Sequence, residues 1–312
     1  MPKVKEVNHF HFSSLITFFI VMLIDSHAHL DMKAFDSDRD QIIDRALSAD
    51  VRQIITVGID IMSSLNAVRL TKSYPSVFAC VGIHPHNADN ADKNDLEQIP
   101  LIATQEKIVA IGETGLDFFR KRSSRQKQTE LFKQQLDIAI SLDLPVVIHD
   151  REAHTEILKI LSSFKRNALK GMIHCFSGDY NLAKTFINMG YYISIPGTVT
   201  FKNASQTQDV AIRVPLNRMI LETDAPFLAP TPYRGKRNEP CHIIHTAQKI
   251  AKLRGISFAE IARQTSQRPR PSGRVLKKGN NSLATSIPTL PGGALKGGGK
   301  NACQLFNLSF LE

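Results

Sequence analysis

The 312-residue sequence is poor in cysteine and contains no tryptophan. Its cysteines form no C-x-x-C pair and no close cluster; they are Cys80, Cys175, Cys241 and Cys303. This pattern excludes a disulfide-rich scaffold and favours reduced thiols in a cytoplasmic protein. The longest apolar run, residues 15–24, is about half of the length that crosses a bilayer. We therefore expect neither a transmembrane helix nor a membrane partner.

Acidic residues are absent from residues 268–300, a segment with seven basic residues, four prolines and seven glycines. Such a composition buries too little apolar surface to offset the entropy of ordering, so we predict a disordered insertion here. Without its seven basic residues the net charge of +10 falls to about +3. The rest of the chain is nearly neutral, and the net charge is therefore poor evidence for a nucleic-acid partner.

The two ends of the chain are predicted to contribute little to the fold. Lys3 and Lys5 precede an apolar stretch, as in a signal peptide, but no A-x-A cleavage site follows it. Cleavage there would also damage the strand that carries His27 and His29. We therefore interpret residues 1–21 as an extension outside the fold and residues 22–267 as the folded domain. Residues 301–312 are predicted to be a remnant of its last helix.

Between residues 22 and 267, short apolar runs alternate with helix-length amphipathic stretches. The runs are rich in Val, Ile and Phe, as in strands buried on both faces, and span residues 23–27, 53–57, 78–83, 108–113, 145–150, 171–176, 190–195 and 218–223. Helices are predicted at 38–49, 63–73, 127–142, 154–164 and 180–188, with Asp38 and Ser63 as N-caps of the first two. This alternation predicts an α/β fold, a TIM-type (β/α)8 barrel. No G-x-G-x-x-G follows the first strand, which argues against a dinucleotide-binding fold.

Metal-binding residue types follow nearly every predicted strand. In such a barrel the carboxyl ends of the strands form one rim, where functional residues lie. The residues predicted at this rim are His27, His29, His84, His86, Glu113, His149, His174, Glu222 and Asp224. Imidazole and carboxylate ligands together suit Zn²⁺, Mn²⁺ or Fe²⁺, whereas carboxylates suit Mg²⁺. Even if only five or six of these residues are ligands, they exceed the four that one tetrahedral ion needs. We therefore expect two ions that share a carboxylate, as in enzymes that cleave phosphoesters by displacement.

Seven motifs, in their order and spacing, resemble the TatD family of metal-dependent deoxyribonucleases. They are MLIDSHAHLD, GIHPH, AIGETGLDFF, PVVIHDREA, HCFSG, ETDAPFL and KRNEP. The resemblance covers about residues 22–267. It implies a metal-dependent hydrolase barrel that cleaves DNA phosphodiester bonds, including 3′→5′ exonuclease activity on single strands. The implied cofactors are two divalent ions (Mg²⁺, Mn²⁺ or Zn²⁺), and the implied partner is single-stranded DNA.

The resemblance also implies a division of the rim residues between the two ions. Glu113 would bridge the ions. The other ligands would be His27, His29 and Asp224 for the first ion, and His149 and His174 for the second.

Further residues would act on the substrate. Asp224 would be the general base, and His84 would contact a phosphate or donate a proton. Arg151 would hold a phosphate, as would Arg237 if it contacts the substrate and does not brace the rim. Asn238 and Glu239, beside Arg237, would either touch substrate or brace the rim. His86 and Asp117 would either act directly or hold the rim, and the helical His154, His242 and His245 are interpreted as structural.

Two other functions stay open at this point. One is an amidohydrolase-type barrel that hydrolyses a small phosphoester or an amide. Glu113 favours the nuclease, because many such relatives carry a modified lysine or no ligand at that position. The other is a nucleic-acid binder without activity, which would require a lost ligand, although all six are present. No obligate protein partner is evident.

Overall fold

The computed structural model of the protein describes residues 22–164, 169–266 and 305–306. The predicted extension at residues 1–21 and the predicted insertion at 268–300 lie outside the described residues, as does most of the predicted helix remnant. Among the helices of the described ranges, none combines the length and the apolar character that a membrane span requires.

Eight parallel strands form one sheet, and each strand pairs with the next one along the chain. They are β1 (Leu23–Ala28), β2 (Val51–Val57), β3 (Val77–Val81), β4 (Ile108–Asp117), β5 (Val146–Arg151), β6 (Gly171–His174), β7 (Tyr192–Ile195) and β8 (Met219–Leu221). Backbone hydrogen bonds join β1 to the chain after β8: Asp224 N donates to His27 O (2.8 Å) and His29 N donates to Ala225 O (2.7 Å). The predicted α/β barrel is therefore confirmed.

Each strand is followed by at least one helix, and the helices cover the outside of the barrel. They are α1 (Arg39–Ser48), α2 (Ile61–Ser73), α3 (Lys93–Ala103), α4 (Arg125–Ser141), α5 (His154–Ser163), α6 (Tyr180–Asn188), α7 (Ser205–Arg213), α8 (Ile243–Arg254) and α9 (Phe258–Ser266). The five predicted helices correspond to α1, α2, α4, α5 and α6. No range was predicted for α3, α7, α8 or α9. Helix α3 contains Pro100, a residue that by itself argues against a helix interior.

The predicted helix N-caps need correction. Asp38 occupies the N-cap position of α1, but its side chain makes no capping bond there. Ser63 is not a cap, because α2 begins two residues earlier and Asp60 accepts a hydrogen bond from Ser63 N at 2.8 Å. The Ser63 hydroxyl instead donates to Asp31 at 2.7 Å. The N-cap of α2 is therefore Asp60, three residues before the predicted cap.

Strand β4 is longer than predicted and extends beyond Glu113 to Asp117. The cause is β5, which continues to pair with it through Gly115 opposite His149 and Asp117 opposite Arg151. Gly115 permits this close approach, because a Cβ at that position would lie 2.1 Å from the carbonyl oxygen of His149. Asp117 is consequently brought to the rim beside His149.

The interior of the barrel is filled by a separate apolar cluster. On β4 to β8 its members occupy the first three positions of their strands: Val109, Ala110, Val147, Met172, Tyr192 and Ile220. Leu305 and Phe306 belong to the same cluster and are buried. These two residues therefore pack inside the barrel against side chains that, on β4, β5, β6 and β8, precede the predicted metal ligands along the chain. The larger core lies between the sheet and the helices.

Candidate metal centre

The carboxyl ends of the strands bring the six predicted metal ligands together. His27 lies on β1, with His29 just beyond it, Glu113 on β4 and His149 on β5. His174 ends β6, and Asp224 follows β8 at three residues' distance. The ligand atoms of these six residues and of His84 form three overlapping groups, in each of which the atoms lie within 4.8 Å of one another: His27, His29 and Asp224; His27, Glu113 and His174; and His84, Glu113 and His149.

The first side of the centre has the spacing of a tetrahedral site. His27 Nε2 lies 3.2 Å from His29 Nε2 and 3.5 Å from Glu113 Oε2. Asp224 Oδ1 lies 3.4 Å from His29 Nε2 and 3.7 Å from His27 Nε2. Four ligands at about 2.0–2.1 Å from one ion lie about 3.3 Å from each other. The four side chains therefore fit a divalent ion without rearrangement.

The second side of the centre is formed around the other oxygen of Glu113. Its Oε1 lies 2.6 Å from His149 Nδ1, 3.7 Å from His174 Nε2 and 3.5 Å from His84 Nε2. His84, which was predicted to act on the substrate and not as a ligand, therefore lies slightly closer to Glu113 than the predicted ligand His174. The two oxygens of one buried carboxylate thus face two different groups of histidines.

Hydrogen bonds at the ring nitrogens that point away from the centre fix the orientation of these imidazoles. His29 Nδ1 lies 2.8 Å from Val57 O, and His149 Nε2 lies 3.3 Å from Asp117 Oδ2. His84 Nδ1 accepts from the His86 backbone N–H at 3.0 Å. Such outer partners select the tautomer and direct the opposite nitrogen toward the centre. These hydrogen bonds therefore orient the imidazoles as metal ligands.

Two acidic residues that support the centre were not assigned a role from the sequence. Glu222 accepts a hydrogen bond from His174 Nδ1 at 2.9 Å. Asp25 accepts from Thr223 N and Thr223 Oγ1, and from His27 N at 3.4 Å, and its burial raises its pKa to about 8. An acidic residue directly after the apolar Leu23 and Ile24 of a buried strand is the signal that could have identified Asp25.

The charges of the centre suit a cation. Burial opposes the ionisation of Glu113, but the surrounding histidines, above all His84 and His174, hold its pKa well below the usual value. Burial likewise opposes the ionisation of Asp224, and its hydrogen bond with His29 lowers the pKa. Two carboxylates are thus kept ionised in a buried cluster, and a bound cation would offset their charge.

The two predicted phosphate-binding arginines lie in different surroundings. The Arg151 guanidinium lies over the ring of Phe119, 4.4 Å from its centroid. Arg237 already has carboxylate partners, since it donates to both oxygens of Asp38 at 2.8 and 2.6 Å and to Glu239 at 3.4 Å. Its contacts brace the loop after β1 against the chain after β8. The phosphate role of both arginines stays a prediction.

The neighbouring polar residues also brace the rim. Asn238 Nδ2 donates to the carbonyl oxygens of Thr223 and Phe227 at 2.8 and 2.7 Å. Glu239 pairs with Arg45 at 2.8 Å. The other predicted structural or doubtful residues all have partners: His86 and Asp117 bind each other at 2.7 Å, His154 binds Asp150, His242 binds Asn238, and His245 packs near Tyr233.

Comparison with known proteins identifies the family. The family model described as TatD related DNase matches residues 24–271. The chain belongs to the TatD family. The resemblance noted in the seven motifs is thereby confirmed, and this TatD chain is a metal-dependent hydrolase.

Individual relatives agree with the TatD assignment. The uncharacterized metal-dependent hydrolase YabD of Bacillus subtilis is 39% identical over 246 residues, which cover 79% of this chain and 96% of YabD. The 3′-5′ ssDNA/RNA exonuclease TatD of Salmonella typhimurium is 33% identical over 238 residues, 75% of this chain and 92% of that protein. The crystal structure of YJJV, a TatD homologue of Escherichia coli K12, superimposes with a TM-score of 0.75 at 32% identity, covering 79% of this chain and 95% of YJJV.

Proposed function

We propose that this protein is a divalent-metal-dependent deoxyribonuclease that shortens single-stranded DNA from the 3′ end, with two ions at the rim of the barrel. The observation that carries the proposal is the position of Glu113, whose Oε2 faces His27 and His29 while its Oε1 faces His149 and His174. A carboxylate so placed can bridge two ions. The relative from Salmonella typhimurium, named a 3′-5′ ssDNA/RNA exonuclease, supports the substrate and the polarity.

The donor set divides into two halves around Glu113. His27, His29 and Asp224 would hold the first ion, and His149 and His174 the second. When bound, such ions lower the pKa of an attacking water and offset the charge that develops on the phosphoryl oxygens. Nitrogen and oxygen donors without cysteine suit Mg²⁺, Mn²⁺ or Zn²⁺ in a hydrolytic rather than a structural site.

The protein's own side chains would move the protons. Asp224 is the more accessible carboxylate of the centre, with 14% of its side chain exposed against 3% for Glu113. Asp224 would therefore accept a proton from the attacking water. His84 lies within 3.3 Å of His149, on the opposite side of the centre from Asp224, and would contact the phosphate or donate a proton to the leaving oxygen. Arg151, at the end of β5, would hold a neighbouring phosphate.

The test is cleavage of end-labelled single-stranded DNA by the purified full chain in Mg²⁺ or Mn²⁺. A strand labelled at its 5′ end should shorten progressively from the 3′ end, and a strand labelled at its 3′ end should release a labelled mononucleotide first. Single-stranded RNA of the same sequence measures the preference between the two nucleic acids.

Three controls accompany the assay. EDTA and the Asp224→Asn variant should each abolish cleavage, whereas Asp209→Asn, an exposed acid on α7, should leave it unchanged. Failure of a folded, metal-loaded protein to cleave any of these strands would refute the nuclease and direct attention to another phosphoester or an amide. Shortening from the 5′ end would refute the polarity alone.

A further inference from the structure

Two phenylalanines are exposed at the metal-bearing end of the barrel. Phe119 and Phe227 each leave 49% of their surface in solvent. Within residues 22–164 and 169–266 they are the only exposed aromatic residues. The other large exposed hydrophobic residues are aliphatic and lie on helices or between α8 and α9: Met62, Leu101, Ile140, Ile212 and Ile256. Exposed aromatic rings are thus confined to the rim that carries the metal centre.

Phe227 is held directly beside the first side of the centre. Its backbone N–H donates to Asp224 O at 2.8 Å, and its carbonyl oxygen accepts from Asn238 Nδ2 at 2.7 Å. The ring packs edge-on against His29, with a centroid separation of 6.2 Å. Because the backbone of Phe227 is already anchored, little conformational entropy is lost when its half-exposed ring binds a ligand.

Phe119 is held in the same way beside the second side of the centre. Its backbone N–H donates to Asp117 Oδ1 at 3.0 Å, and the other oxygen of Asp117 binds His149. The Arg151 guanidinium covers one face of the Phe119 ring. The cation and the ring therefore form one surface, with a positive charge next to an exposed apolar ring.

The two rings lie across the mouth of the barrel from each other. Phe227 follows β8, which is joined to β1. Phe119 follows β4, and Arg151, the last residue of β5, lies over its ring. In a ring of eight strands in sequential order, β4 and β5 are opposite β8 and β1. A polymer that places a phosphate in the metal centre would therefore extend past one ring on each side.

We infer that Phe119 and Phe227 are stacking platforms for the nucleobases on either side of the cleaved phosphate. This inference rests on the proposed nuclease function and extends it to the binding of substrate. Phenylalanine offers a π-face and no hydrogen-bonding group, so stacking on it accepts any base and favours unpaired strands, whose bases are free to unstack. Arg151 next to Phe119 would add attraction to the backbone.

The experiment compares Phe119→Leu, Phe227→Leu and the double variant with wild type on single-stranded DNA. Leucine keeps the apolar bulk and removes the π-face. The KM should rise about 10-fold for each single variant and further for the double variant, while kcat changes little. Phe227→Trp should retain or lower the KM. Leu101→Ala, which truncates an exposed side chain on α3, is the matched control and should change nothing.

A second substrate separates stacking from a merely structural effect. On an oligonucleotide of the same length with abasic sites flanking the cleaved bond, wild type and the leucine variants should have the same KM. Equal KM values on normal DNA, or equal losses on normal and abasic DNA, would overturn the inference.

Binding to the Asp224→Asn protein, followed by fluorescence anisotropy, gives a readout that does not depend on cleavage. The phenylalanine substitutions in this background should weaken binding of normal DNA by the same factor. A wild-type protein that neither cleaves nor binds single strands would refute the nuclease and the inference together. Cleavage that does not depend on the two rings would refute the inference alone.

Discussion

Glu222 and His174 are joined by a hydrogen bond of 2.9 Å between Glu222 Oε2 and His174 Nδ1. The same carboxylate accepts from Ser194 Oγ at 2.6 Å and from the Cys175 backbone N–H at 2.7 Å, and it is fully buried. Three donors thus hold Glu222, and Glu222 in turn directs His174 Nε2 toward Glu113. Glu222 is therefore a positioning residue for the centre.

Replacing Glu222 with Gln should weaken metal binding by about 10- to 100-fold, because an amide cannot hold His174 as a carboxylate does. Titration calorimetry with Mn²⁺ measures the affinity directly. The variant should lose activity at low metal concentration and regain part of it at high metal concentration, because Glu222 acts through the metal ligand His174. Glu260→Gln, on the exposed face of α9, is the control. Unchanged affinity in Glu222→Gln would contradict the positioning role.

The contact between Arg237 and Asp38 predicts a structural effect of both residues. Arg237→Gln and Asp38→Asn should each lower the Tm, and the double variant should lower it by less than the sum, because one substitution already breaks the pair. The effect should shrink at high salt, since the pair lies at the surface.

The same variants distinguish bracing from phosphate binding. If Arg237 only braces the rim, Arg237→Gln and Asp38→Asn should change the KM for DNA equally. A KM that rises in Arg237→Gln and not in Asp38→Asn would instead assign Arg237 to the substrate, because the second variant leaves the guanidinium in place.

Phe306 is predicted to contribute to stability although it lies far along the chain from the rest of the barrel. Its side chain is 2% exposed and belongs to the apolar cluster that fills the interior of the barrel. Phe306→Ala should lower the free energy of unfolding by roughly 3 kcal/mol, as expected for a large buried ring. Denaturant unfolding measures this, with Leu101→Ala as a control that should stay within about 0.5 kcal/mol of wild type. A Phe306→Ala variant as stable as wild type would contradict this contribution of Phe306.

The ion pair of His154 with Asp150 predicts a pH-dependent contribution to stability. The hydrogen bond at 2.8 Å raises the pKa of His154 above its usual 6.5. The folded state therefore favours the protonated imidazole, and this stabilisation is complete below the unfolded pKa and is lost as the pH rises through the folded pKa.

The measurement is the difference in unfolding free energy between wild type and His154→Gln, in EDTA, at pH 5.5 and pH 9. The difference should be larger at pH 5.5, and taking a difference cancels the other titrating groups. A difference that is the same at both pH values, or larger at pH 9, would contradict the assignment.

Several features of the fold could be predicted from local patterns. Short runs such as QIITV and PVVIHD predicted buried strands, since strands covered on both faces are rich in Val and Ile. The six ligands could be placed at one rim because parallel strands in a barrel all end on the same side. The extent of β4 could not be predicted, because its residues beyond Glu113 become strand only through pairing with β5.

The sequence by itself determined the order of the strands, five of the helices between them, the family and the identity of the residues at the rim. Tertiary structure alone decided which of them meet. Arg237 binds Asp38 across 199 residues, His84 comes slightly closer to Glu113 than His174 does, and Leu305 and Phe306 reach the barrel interior. The physical reason is that such contacts depend on strand register and on closure of the ring, whereas a local pattern reports only which face of one element is apolar.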